Sequence, residues 1–126
     1  VLYVPIRAAA RAFGAKVAWS DATRSVAITD KGVEILQEGA AKKFLNQVEQ
    51  ITFSGEYARE MGQKVYYITE RAVFELTEQG VTLIEIAPGA DLEKDILAQM
   101  DFVPIIGDVK PMNARLFNEE KMGLQM

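Results

Sequence analysis

Apolar and polar positions alternate at two different periods along this chain, and the switches between them outline its elements. Pro5 suits the first turn of a helix, where its missing N–H costs nothing. Ile6, Ala9, Ala10 and Phe13 then recur at helical spacing, and Gly14 supplies a stop. Val17 and Trp19 alternate as a strand, Ser20–Asp21–Ala22–Thr23 is turn chemistry, and Val26 and Ile28 form the returning strand, with Trp19 set against Val26 as a packing pair. Asp30–Lys31–Gly32 makes a second turn, followed by a short strand over 33–37 that closes at Glu38–Gly39. Residues 42–53 fit neither period, although 51–53 reads as strand. Tyr57 to Met61 is a helical turn capped by Ser54 and stopped by Gly62. Strands follow over 64–69, 72–76 and 81–87, the last two joined by the hairpin turn Thr77–Glu78–Gln79–Gly80, and Pro88–Gly89 breaks the third. Asp91 caps a helix over 91–101 whose buried face carries Leu92, Ile96, Leu97 and Met100. From 102 to 126 the Pro, Gly and Asn content predicts extended coil docked through Phe102, Ile105, Met112, Leu116 and Phe117.

Composition narrows the chemistry. At 126 residues, 49% hydrophobic and 25% charged, the chain has the make-up of one ordinary globular domain, with or without a small appendage. It contains no cysteine and no histidine, which removes Cys/His metal sites, Ser–His and Cys–His triads and every histidine acid–base step. No spaced-carboxylate calcium loop is present, and no apolar run approaches membrane-spanning length. A net charge of −4 disfavours nucleic acid as a partner. Bases exceed acids over 1–32 (Arg7, Arg11, Lys16, Arg24 and Lys31 against Asp21 and Asp30), whereas acids exceed bases beyond. The chain begins at Val1 without a signal-peptide pattern, and is expected to be an excised or processed piece.

Several side chains invite a functional reading, and each has a structural alternative. Glu70 and Arg71 suit a carboxylate clamp, but equally a hairpin corner. Glu56 lies where a strand end meets a ligand, but also where acids assist a helix cap. Lys42–Lys43 suits a phosphate or a solvated face. Asp91, Glu93, Asp95 and Asp101 suggest a divalent ion, yet helical placement spreads them and dipole pairing explains three. Tyr66 and Tyr67 point to opposite sides of one strand, so at most one is expected in the core. The structural alternative is preferred throughout, and no residue is assigned a catalytic, cofactor-binding or metal-binding role.

Two resemblances meet near residue 32. Val4–Pro5–Ile6–Arg7, Phe13–Gly14–Ala15–Lys16–Val17–Ala18–Trp19 and Thr23–Arg24–Ser25–Val26 resemble the copper amine oxidase N-terminal-like domain of bacterial surface proteins. Despite the family's name that resemblance implies no copper, and with no histidine the chain offers no typical copper ligand set. Residues 33–117 resemble the C-terminal part of the acetate/propionate-type CoA-transferases. The likeness runs through Val48–Glu49–Gln50–Ile51–Thr52–Phe53–Ser54–Gly55–Glu56–Tyr57–Ala58–Arg59, Tyr67–Ile68–Thr69–Glu70–Arg71–Ala72–Val73–Phe74, Glu85–Ile86–Ala87–Pro88–Gly89 and the stretch from Asp91 to Phe102. It implies a reaction that moves CoA from an acyl-CoA to a carboxylate. A glutamate attacks the thioester, and backbone N–H groups of a glycine-rich loop hold the oxyanion. The family sets this glutamate in an E-x-G-x-x-G pattern upstream of the part matched here. Glu60–Met61–Gly62 and Glu78–Gln79–Gly80 satisfy its first half, but Val65 and Leu83 stand where the second glycine belongs. The nucleophile is therefore expected to be missing.

The fold expected is α+β: a three- or four-stranded antiparallel core from 51–87 covered by one main C-terminal helix, plus an N-terminal helix–hairpin unit. The division expected is 1–32 and 33–126. Three functional readings stay open. The chain is a C-terminal CoA-transferase fragment, inactive alone, with coenzyme A as the parent family's substrate and the missing catalytic part as its partner. Otherwise it is a non-catalytic, envelope-associated binding or structural module, or else a recombined or engineered chimera. The first implies a cytoplasmic location and the second an extracellular one. Because strand 64–69 is apolar on both sides, a homo-oligomer is also expected.

Overall fold

Three short strands joined by tight turns form the centre of the molecule. The structure, a computed structural model, describes residues 25–29, 32–118 and 120–124. In chain order these give β1 (Ser25–Thr29), β2 (Gly32–Gln37), α1 (Gly55–Glu60), β3 (Tyr66–Ile68), β4 (Ala72–Thr77), β5 (Gly80–Ile86) and β6 (Ile105–Pro111). A π-helical turn (Leu92–Ile96), a 3₁₀ turn (Leu97–Gln99) and a second 3₁₀ turn (Ala114–Phe117) complete the described elements. The expected helix over the first residues, and the pairing of Trp19 with Val26, lie outside the described residues.

The β3–β4–β5 meander is antiparallel, as the alternation predicts. Its β4–β5 corner is tight because Gly80 adopts φ +135° while the Thr77 hydroxyl donates to the Gly80 carbonyl at 3.1 Å. A fourth strand was not expected where it occurs. β6 lies within the stretch read as coil and pairs parallel to β5, with Thr82 opposite Ile105 and Leu83 opposite Ile106. Gly107 and the flanking Pro104 and Pro111 disguise it in the sequence, yet an edge strand tolerates proline at its end. The sheet is consequently mixed, not antiparallel throughout. Residues 51–53, read as strand, belong to no strand and remain exposed.

Consecutive buried residues on β4 show that both faces of this sheet are covered. Ala72 and Phe74 point into one cluster with Leu83, Ile96 and Met100; Val73 points into the other with Val33, Ala87, Met112 and Phe117. Tyr66 and Tyr67 are each half-buried, one packed against each cluster, so they face opposite sides as the alternation predicts and neither is a fully buried core residue. The second layer comes from Val33 and the Met112–Phe117 segment.

The expected helix over 91–101 is two short pieces. Asp91 caps it as foreseen, its Oδ1 accepting from Lys94 N at 2.8 Å. The carbonyl of Asp95, however, accepts from the Arg71 guanidinium at 2.9 Å, and Met100 turns extended to form a single bridge with Phe44. Asp101 N then donates to the Phe44 carbonyl at 2.9 Å. These tertiary bonds compete with the helix's own ladder and end it early. Its apolar face still lands where its spacing predicts, with Ile96 and Met100 buried on Phe74 and Leu83.

The β1–β2 hairpin is attached to the main sheet through one close backbone contact. Val33 N donates to the Pro88 carbonyl at 2.8 Å. Gly32 at φ +115° and Gly89 at φ +84° allow it: a Cβ on Gly32 would overlap the Pro88 carbonyl, and one on Gly89 the Val33 carbonyl.

Candidate functional site

Arg71, at the β3–β4 corner, organises the most polar interior position of the described chain. Thr69 Oγ1 accepts from the backbone N–H groups of Arg71 and Ala72 at 3.2 and 3.0 Å, which fixes the turn and aims Arg71 inward. Its Nη1 and Nη2 donate to Glu38 Oε1 and Oε2 at 2.6 and 3.0 Å, a bidentate pair. Nη1 also donates to the Asp95 carbonyl, while Glu70 approaches Nε at 3.6 Å. Asp95 is buried, and its Oδ2 accepts from Asp91 N at 2.9 Å. Arg71 Nε and Asp95 Oδ1 are buried without a hydrogen-bond partner. The fork that would clamp a substrate carboxylate is therefore filled by Glu38, and the cluster ties three segments together.

The other candidates are dispersed. Glu60 ends α1, exposed, and Gly62 beyond it takes φ +66°. Glu78 is exposed in the β4–β5 turn, where its carbonyl accepts from Arg59 Nη1 at 2.9 Å. Val65 and Leu83, in place of the missing glycines, are respectively half-buried and fully buried. Glu56 stands exposed in the first turn of α1, and Ser54 caps that helix by accepting from Tyr57 N at 3.2 Å. Lys42 pairs with Asp101 at 3.2 Å and donates to the Met100 carbonyl at 3.4 Å, whereas its neighbour Lys43 is exposed. Asp91, Asp95 and Asp101 thus have separate partners, and Glu93 faces solvent. Among the described residues no three Asp, Glu, His or Cys side chains converge as a metal site. With no histidine or cysteine in the chain, the donor set does not suit copper. No helix of the described residues is long and apolar enough to cross a membrane. Sequence reasoning placed the Arg71 corner correctly but missed its link to Glu38 and Asp95, because no local pattern reports a contact so distant along the chain.

Comparison with known proteins gives two overlapping matches. The chain is 55% identical over 100 residues to caffeate CoA-transferase of Acetobacterium woodii, covering 79% of this chain and 19% of the relative. It is 57% identical over 97 residues to acetate CoA-transferase YdiF of Escherichia coli K12, covering 76% and 18%. The crystal structure of the acyl-CoA transferase (YdiF) apoenzyme from Escherichia coli O157:H7 superposes with a TM-score of 0.78 at 52% identity, over 82% of this chain and 20% of that one. A second structure of that enzyme, a thioester complex with CoA, matches equally. The chain therefore spans about a fifth of the length of the relatives it matches, and its four-stranded α/β unit is similar to a piece of that fold. The other match, to the family described as copper amine oxidase N-terminal domain, covers residues 1–76 and so runs beyond the resemblance at 4–29 into β4. By that match the chain belongs to the copper amine oxidase N-terminal domain family, and it carries within the same sequence a stretch related to the CoA-transferases.

Proposed function

We propose that this chain is a C-terminal fragment of an acetate/propionate-type acyl-CoA:carboxylate CoA-transferase that lacks the nucleophilic glutamate and does not transfer CoA alone. The observation that carries this reading is the 55–57% identity to caffeate and acetate CoA-transferases. The placement of Glu60 and Glu78 supports it. A thioester-attacking carboxylate needs backbone N–H donors aimed at the developing oxyanion. Glu60 closes a surface helix and Glu78 occupies a surface turn, and neither is followed by the second glycine. In this reading 1–32 and 33–126 are units of different descent, coenzyme A is handled elsewhere in the enzyme, the unit works in the cytoplasm, and its partners are the missing catalytic part or copies of itself.

The test is direct. Mixed with acetyl-CoA and propionate, the chain is expected to give no propionyl-CoA by mass spectrometry. Turnover removed by Glu60→Ala or Glu78→Ala would place the nucleophile here after all. In a covalent chimera, residues 33–117 would replace the corresponding stretch of the Escherichia coli acyl-CoA transferase. That chimera is expected to retain transfer, and loss of transfer in a well-folded chimera would overturn the reading.

A second reading, a non-catalytic envelope-associated module, is favoured by the family match over 1–76. It predicts export of the native polypeptide, which fractionation of the producing cells decides. A recombined chimera predicts that no native transcript spans the joint near residue 32.

A further inference from the structure

The connection between β2 and α1, residues 38–54, is long, irregular and anchored mainly in its first half. Glu38 holds Arg71, and Phe44 packs its ring 5.1 Å from that of Phe74 and 6.3 Å from that of Phe102. Lys42 and Asn46 reach Asp101, the amide donating to its carbonyl at 3.0 Å. From Gln47 to Phe53 no hydrogen bond to a described residue forms, and this is where the chain becomes apolar. Leu45, Val48, Ile51 and Phe53 are 42%, 59%, 75% and 48% exposed. The strip then continues onto α1. Ala58 is fully buried against the sheet, which turns Tyr57 and Met61, one helical turn apart, outward at 59% exposure each. Glu49 is the one charge between Leu45 and Gly55.

Solvated loops are usually polar, and a concentration of large apolar side chains on one marks a contact surface. The sheet does not need this strip, since both its faces are filled from within the chain. Identity of 55–57% over about a hundred residues holds surface as well as core in common with enzymes roughly five times longer. In those enzymes the matched stretch has the other four-fifths of the polypeptide to meet, and an exposed apolar strip is the kind of surface such a contact uses.

We propose that Leu45, Val48, Ile51, Phe53, Tyr57 and Met61 form the docking surface for the body of a CoA-transferase, the polypeptide of that family without the matched stretch. The inference rests on the proposed CoA-transferase reading and adds to it the surface of association. The six side chains are apolar and the loop from Leu45 to Gly55 carries one charge, so the association is chiefly hydrophobic and only weakly sensitive to salt, with Glu56, Arg59 and Glu60 at its α1 edge supplying what salt dependence there is.

The experiment co-expresses the full 126-residue chain with tagged acyl-CoA transferase of Escherichia coli O157:H7 from which the matched stretch is removed. Sedimentation of the purified material is expected to show a one-to-one complex stable to added salt. The triple variant Ile51→Asp, Phe53→Asp, Tyr57→Asp is expected to weaken that complex by at least about tenfold. Those positions are exposed, so the variant's own melting temperature should match the parent's. Absence of a complex, a complex indifferent to the variant, or self-association of the chain through this strip in place of the complex would each overturn the proposal. If the truncated body does not fold, the covalent chimera decides. Ile51→Asp and Phe53→Asp should lower the chimera's melting temperature while leaving that of the isolated chain unchanged. A chimera that transfers CoA but melts indifferently to these substitutions overturns the docking alone. A folded chimera without strip substitutions that cannot transfer CoA overturns the underlying reading.

Discussion

Arg71 joins the β3–β4 corner to Glu38 on one side and to the Asp95 carbonyl on the other, so a single guanidinium sets the distance between three segments. Lysine keeps the charge and loses the planar fork. Arg71→Lys is therefore expected to cost about 1–3 kcal/mol, towards the lower end because Glu38 is partly solvated, read from the denaturant midpoint. No change in midpoint would mean that the fork contributes nothing to stability. A different effect is expected at Tyr67, whose phenol pKa is raised above its ordinary 10.0 by burial. The folded state then holds this proton more tightly than the unfolded chain, so the contribution is present below the ordinary value and is lost as pH rises through the folded one. As pH rises from the ordinary value through the folded one, the melting temperature should fall less steeply for Tyr67→Phe than for the parent; parallel curves across that window would remove the effect. The sequence made part of this legible. Thr69–Glu70–Arg71 reads as a turn because its hydroxyl and its neighbours are local, whereas Glu38 lies far back along the chain and nothing in its surroundings announces a partner. The two tyrosines show the same limit: alternation separates their faces, but only the placement of Val33, Met112 and Phe117 shows that both faces are covered.

The β1–β2 hairpin depends on the glycine junction with Pro88–Gly89. Gly32→Ala adds a methyl where the Pro88 carbonyl sits, at a φ that L-residues avoid. The variant is expected to release the hairpin from the sheet, with faster hydrogen exchange at Val33 N and unchanged protection at Phe74 N. Equal protection at Val33 in both proteins would show that the junction yields without opening. The meander was readable because its strands are adjacent and its turn residues carry their own instructions. β6 was not. Its alternation of Ile105, Gly107 and Val109 is weakened by a residue without a side chain, and prolines bracket it. The apolar face over 91–101 is legible in the local spacing, but the bonds that divide the helix come from Arg71 and Phe44, outside any local window. The site is legible mainly through what the sequence lacks: without histidine, cysteine or a complete glycine pattern, the residues favour the structural alternatives for Glu56, Glu60, Glu78 and the lysine pair.

At the scale of the molecule, both core clusters among the described residues are built from Val33 onward. Deleting residues 1–30 is therefore expected to leave a cooperative thermal transition for the sheet, although β2 loses its hairpin partner. A truncated chain without such a transition would show that the division at residue 32 cuts through one folding unit. The mixed topology of the sheet carries a further consequence, for the order in which structure forms. β3, β4 and β5 meet through short turns and can assemble early, since little chain entropy is lost in closing them. β6 lies parallel to β5, and a parallel neighbour is reached only after the intervening crossover, residues 87–104, has been laid down. That crossover contains Ile96 and Met100, which seal Phe74 and Leu83. Refolding thus has a late stage in which the crossover and β6 close over a meander already formed, and amides of β6 gain protection after those of β4. Until that closure one side of β5 stands open, and during that interval the chain is most exposed to pairing with the wrong strand.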